Sequence, residues 1–177
     1  MTQPLGTDPR DDRFEALGQV VERAALMEIA LRMAFCTLVG GSYAAAVAGS
    51  QETHWLIENC DTVVRRHEEL PAEGRDAIRA ALQACRQANR DRNRLVHEAW
   101  GTGAAGAPTV LRSVCHGYKM AGRDWTIAQI REAAEAISAA QHALLATIEN
   151  AFAPGCLEAA GQLLAADAAH AHAHDHS

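Results

Sequence analysis

Residues 72–100 read AEGRDAIRAALQACRQANRDRNRLVHEAW. No proline interrupts this stretch, alanine is frequent, and Ile78, Leu82, Cys85, Val96 and Ala99 recur at helical spacing. The pattern predicts one long amphipathic helix from about 72 to 100, with Asn89 and Arg92 breaking its apolar face near the end. Pro71 precedes it, and Gly101-Thr102-Gly103 stops it. A helix of that length needs other helices to cover its apolar side, so the fold is read outward from here.

Upstream, Asp8-Pro9 suits the start of a first helix. Leu17, Val21, Ala24, Leu31 and Phe35 form its expected buried stripe, with Glu28 falling inside that stripe. Gly40-Gly41 should end the helix. Residues 42–48 suit a short helical turn. Ser50 is read as the cap of a second long helix reaching Leu70, with His67 on its apolar side. Downstream, residues 101–108 read as a loop of small residues. Residues 109–120 have weak strand alternation and suit one short hairpin. Thr126 caps a further long helix, whose buried side carries Ile130, Ala134, Ile137, Leu144 and Ile148. Pro154-Gly155 breaks it. The expected fold is all-α: a bundle of four to five helices with at most one short β-hairpin. Its parts are a flexible N-terminus at 1–12, a helical domain at 13–153, a C-terminal helix or frayed segment at 154–169, and a His-rich tail at 170–177.

A chain of 177 residues with 49% hydrophobic residues is long and apolar enough to fold around its own core. Its formal net charge of -6 excludes general binding to phosphate backbones, so any nucleic-acid contact must come from a local basic patch. The five cysteines are odd in number and lack metal-knuckle spacing, which reads as free thiols in a reducing, cytoplasmic setting. Residues 1–12 are polar with two prolines, unlike a signal peptide, and no apolar run reaches membrane-spanning length. His170, His172, His174 and His176 have affinity for transition metals as a class, but the tail is expected to be a dispensable one with adventitious metal affinity. No metal or other cofactor is expected. Walker, G-x-S-x-G and HExxH motifs are absent.

The basic patch lies within the long helix. Arg86, Arg90, Asn93 and His97 are spaced by four, three and four, which places them on one helical face, and Arg92 and Arg94 flank it. Such a cluster in an acidic protein is either a local anion site or a solvated face paired to acids such as Asp91 and Glu98. Its residue types suit holding an anion and moving a proton. Histidine, with an ordinary pKa of about 6.5, moves protons near neutrality. Arginine offers a planar fork to phosphate oxygens. Glu28, costly to bury alone, is expected to meet an arginine of this helix, such as Arg92, and hold it in place.

Arg92-Asn93-Arg94-Leu95-Val96-His97 matches the R-x4-H motif, including the favoured Asn after Arg, and in this the chain resembles the HEPN superfamily. The likeness in architecture spans roughly residues 14–151. The resemblance implies a helical bundle that dimerises, bringing two motifs into one cleft. It also implies metal-independent endoribonuclease activity of the kind found in toxins and phage-defence systems, or, in members without catalysis, binding of RNA or partners. It gives Arg92, Asn93 and His97 catalytic roles and makes an antitoxin or other protein a candidate partner; beside it, Arg86, Arg90 and Arg94 of the basic stripe are read as RNA contacts. One subclass has Tyr two residues after the His; Ala99 stands there in this chain. The alternative is a catalytically silent helical module that binds RNA or a protein partner.

Overall fold

The computed structural model describes residues 9–102, 108–114 and 119–174. Among them, α1 (Pro9–Val39), α2 (Ser42–Gly49), α3 (Thr53–Arg66), α4 (Ala72–His97), α5 (Ile127–Ala151) and α6 (Cys156–His174) make an all-α bundle. A small antiparallel sheet, ordered β1-β2-β3, joins α4 to α5 through β1 (Ala99–Thr102), β2 (Pro108–Val114) and β3 (Lys119–Asp124). The hairpin read from the sequence is β2–β3, with Val110 opposite Arg123 and Ser113 opposite Met120. The extra strand β1 uses residues read as the end of a helix and the start of a loop, and pairs Trp100 with Val110.

The long helix therefore ends at His97, three residues early. Glu98 is already extended, and the Trp100 indole turns back to donate to the Leu95 carbonyl at 2.8 Å, satisfying an acceptor that the stopped helix leaves open. α3 also differs from its expected span. It begins at Thr53 rather than after Ser50 and ends at Arg66, because residues 67–70 form a turn in which the Leu70 amide donates to the His67 carbonyl. The turn still buries Leu70 and releases the chain before Pro71. At the N-terminus, α1 takes in Pro9–Asp12, part of the segment expected to be flexible. At the other end, α6 runs on through His174, so five positions of the expected tail are helical; residues 175–177 and Cys115 lie outside the described residues.

α5 lies against both α1 and α4, and α3 fills the other side of the α1–α4 pair. The α5 residues picked out by periodicity, from Ile130 to Ile148, are fully buried. On α1, Ala24, Leu31 and Phe35 of the expected stripe are buried, beside Ala16, Val20, Met27 and Ala34; Leu17 is half-buried and Val21 is 47% exposed. Gly40 and Gly41 end α1 with φ of 72° and 76°, a left-handed backbone that side chains with a Cβ rarely adopt. Cys36, Cys60, Cys85 and Cys156 are free, and burial pushes the Cys60 and Cys85 thiols up to about 12, which keeps them protonated.

Two ion pairs tie α3 to α4, the helices that flank the site. Arg86 reaches Glu58 at 2.9 Å, and Arg79 reaches Asp61 at 3.2 Å. Burial raises the Asp61 carboxyl, but hydrogen bonds from Arg65 and Arg79 outweigh it and hold the group below its ordinary value. The stabilisation from Asp61 is thus complete at neutral pH and is lost as acid protonates it.

Thr126 begins α5 with a reciprocal cap: its hydroxyl accepts from the Gln129 amide at 3.2 Å, and the Gln129 side chain accepts from the Thr126 amide at 2.9 Å. Thr126→Ala should cost about 1 kcal/mol, measured by chemical denaturation.

Candidate functional site

The C-terminal half of α4 faces a cavity of about 580 Å³. α4 lines it with Asn89, Arg92, Asn93 and His97, and α1 contributes Glu28 and Arg32 from the opposite wall. The α2–α3 connection and the first turn of α3 close the remaining side, bringing in Thr53 and His54.

Residues five apart on a helix are about 140° apart around its axis. Arg92 nevertheless meets His97, because the arginine is long and the helix stops at His97. Arg92 Nη1 lies 2.9 Å from His97 Nε2 and donates to Asn93 Oδ1 at 2.9 Å. A guanidinium has donors only. The contact is a hydrogen bond when His97 Nε2 accepts, with the imidazole neutral and its proton on Nδ1. Arg92 Nε is buried and has no hydrogen-bond partner among the described residues, and Arg92 makes no ion pair among them. A cation at the wall of a cavity, held among the described residues by neutral groups, suits an anionic ligand.

Glu28 is in the cavity wall, but its partner differs from the expected one. It pairs with Arg32 on its own helix at 2.6 Å and accepts from the Thr53 hydroxyl at 2.7 Å. The spacing of four makes Arg32 the near neighbour, while Arg92 sits on another helix and turns to His97. Arg32 also donates to the Ala48 carbonyl at 3.2 Å, closing the C-terminal end of α2. Glu28, Arg32 and Thr53 together brace the start of α3 against α1.

The cavity gathers four of the seven residues singled out from the sequence: Glu28, Arg92, Asn93 and His97. It does not gather Arg86, Arg90 or Arg94. Arg86 is bound to Glu58, Arg94 to Asp91 at 3.3 Å, and Arg90 to the neutral Gln87 side chain at 2.7 Å. Sequence reasoning missed Arg32, Thr53 and His54, which α1 and α3 bring in from a distance along the chain. Asn89 had one visible signal, an amide on an apolar stripe, and it is 8% exposed at the cavity wall. His67 lies elsewhere, with its ring edge-on to Phe152 at 5.6 Å. No described helix is long and apolar enough to cross a membrane. Comparison of the chain with family models, curated proteins and solved structures gives no match.

Proposed function

We propose that the chain is a HEPN-like, metal-independent endoribonuclease of the toxin or phage-defence kind, acting in the cytoplasm as a homodimer. The observation that carries this reading is the Arg92–His97 pair at 2.9 Å, in which the arginine has no carboxylate partner among the described residues and borders an open cavity. The R-x4-H resemblance supplies the reaction. The ribose 2'-hydroxyl gives up its proton and attacks phosphorus, the bond to the 5'-oxygen breaks, and a 2',3'-cyclic phosphate results. His97, with a lone pair on Nε2, acts as the base; Arg92 turns to the phosphate and stabilises the charge of the phosphorane. Asn93 orients Arg92 through its side-chain oxygen. Arg90, held by a neutral group, is the best placed of the outer arginines to follow the RNA backbone, and Arg86 and Arg94 contribute after giving up their acids.

The dimer reading gains support from α1. Phe14, Val21, Ala25 and Ile29 are spaced by seven, four and four, making one exposed strip that a second copy would cover. A smaller cavity of about 260 Å³ joins that strip to Arg92, since Val21, Ala25, Ile29 and Arg92 all line it. A two-fold partner seated there would bring two Arg92–His97 pairs near one another. Light scattering at micromolar concentration should give the mass of two chains, and Val21→Glu should give the mass of one; a single-chain mass for the unaltered protein would remove the shared cleft from this reading. The pairing of Arg86 and Arg94 with acids favours a second reading, a silent module that binds an antitoxin or other protein partner. Cleavage of a mixed RNA pool in the absence of added metal separates the two, because the silent module leaves the pool intact.

A further inference from the structure

His54 is a second imidazole on the same cavity, and no motif in the sequence announces it. It stands in the first turn of α3, exposed, across from the α4 residues Arg92 and His97. Its placement is built rather than incidental. The Thr53 hydroxyl is tied to Glu28, Glu28 is tied to Arg32, and Arg32 holds the Ala48 carbonyl, so the segment leading into His54 is fixed to α1 on both sides. One chain therefore offers two imidazoles and two guanidiniums to a single cavity of about 580 Å³.

Transphosphorylation needs two proton transfers. A base takes the proton from the 2'-hydroxyl, and an acid gives one to the departing 5'-oxygen. With its proton on Nδ1, His97 has the lone pair on Nε2 that the first transfer requires. Its Nε2 cannot at the same time supply the second proton, guanidinium groups do not release protons near neutrality, and in a two-fold dimer the second copy's His97 carries the same Arg92 contact and is a base for the same reason. We infer that His54 is the general acid of this site: its imidazolium delivers a proton to the 5'-oxygen as the phosphorus–oxygen bond breaks, while His97 accepts the 2'-hydroxyl proton. The inference rests on the ribonuclease reading and adds a second catalytic residue to it. After the step His97 is protonated and His54 neutral, and exchange with water restores both. The titratable and charged groups around His54 are Glu28 and Arg32 from α1, Glu52 just before α3, and Arg92 and His97 from α4.

The test uses the full chain and two RNA substrates of one sequence, one ordinary and one with sulfur in place of the bridging 5'-oxygen at the cleaved linkage. A thiolate leaves without a proton, so the second substrate needs no acid. His54→Ala should cut cleavage of the ordinary RNA by at least about a hundredfold and leave the sulfur-bridged RNA near the unaltered rate. His97→Ala should lose both. The acidic limb of the pH profile should persist in His54→Ala, and the basic limb should vanish. His54→Gln, which keeps hydrogen bonding but not proton transfer, should behave as His54→Ala, with an unchanged melting curve. Full cleavage of ordinary RNA by His54→Ala, or equal losses on both substrates, overturns the assignment of His54 and leaves the His97 mechanism standing. Full cleavage by His97→Ala overturns the ribonuclease mechanism itself, and absence of cleavage by the unaltered protein overturns both.

Discussion

His97→Ala and Arg92→Ala should each reduce RNA cleavage by at least about a hundredfold while the fold survives, a loss of about 2.7 kcal/mol at the barrier. The fold should survive because His97 is exposed at the last residue of α4 and neither side chain belongs to the apolar core. The mechanism gives the two residues different work. Loss of His97 removes the acceptor for the 2'-hydroxyl proton, so the pH dependence should flatten on the acidic side. Loss of Arg92 removes the charge that meets the phosphorane and frees His97 Nε2 from its only described partner. Arg92→Lys should recover little, because a point charge cannot serve Asn93, His97 and a phosphate through one planar fork. Cleavage should continue in excess EDTA, and the products should carry a cyclic phosphate or a 3'-phosphate. Undiminished cleavage by His97→Ala, in a gel assay with end-labelled RNA, would sink the mechanism.

The outer arginines should behave otherwise. Arg90→Ala removes a cation held, among the described residues, by the neutral Gln87, so binding should weaken and its salt dependence flatten, with little change in the chemical step. Arg86→Ala also breaks the tie to Glu58 that helps hold α3 beside α4. Its effect on RNA is therefore mixed with a shift of the wall that carries His54.

What the sequence made legible follows from which interactions are local. Thr126 and Gln129 announce the start of α5, Gly40 and Gly41 the end of α1, and the α5 stripe from Ile130 to Ile148 is the buried one. Each depends on residues within a turn or two along the chain. The R-x4-H pair was legible for the same reason, since both residues lie at one end of one helix. The end of α4 was not, because β1 exists only where β2 can pair with it, and Trp100 caps Leu95 only once the chain has turned. The α1 stripe was legible at Ala24, Leu31 and Phe35 and failed at Val21, because Val20 and Val21 are alike in sequence and only the packed bundle buries Val20. The far wall was hidden too. Arg32, Thr53 and His54 face α4 only after α1 and α3 have packed, and nothing in their own stretch points toward Arg92. The Glu28 pairing was misjudged for a simpler reason: a partner four residues away competes with one on another helix, and it wins.

The largest effect on stability should come from Leu144→Ala. Leu144 is fully buried on α5, the helix that packs against both α1 and α4, the two helices carrying Glu28, Arg32, Arg92 and His97. Truncation removes the transfer free energy of the lost carbons and leaves a hole that helices on two sides must collapse into. The expected cost is about 2–5 kcal/mol, a large share of the roughly 5–15 kcal/mol that holds a domain of ordinary stability. Melting should fall by roughly 2–4 °C for each kcal/mol lost in a chain of this size. Val39→Ala is the control: Val39 is 48% exposed at the end of α1, and its truncation should change stability by no more than about 0.5 kcal/mol. The two variants also test how the site depends on the core. If α5 sets the spacing between α1 and α4, Leu144→Ala should lose RNA cleavage at temperatures below its own unfolding midpoint, as the wall bearing Arg32 drifts from the wall bearing Arg92. A midpoint in urea equal to that of the unaltered protein would mean that Leu144 does not bridge these helices, and the packing described for α5 would be wrong.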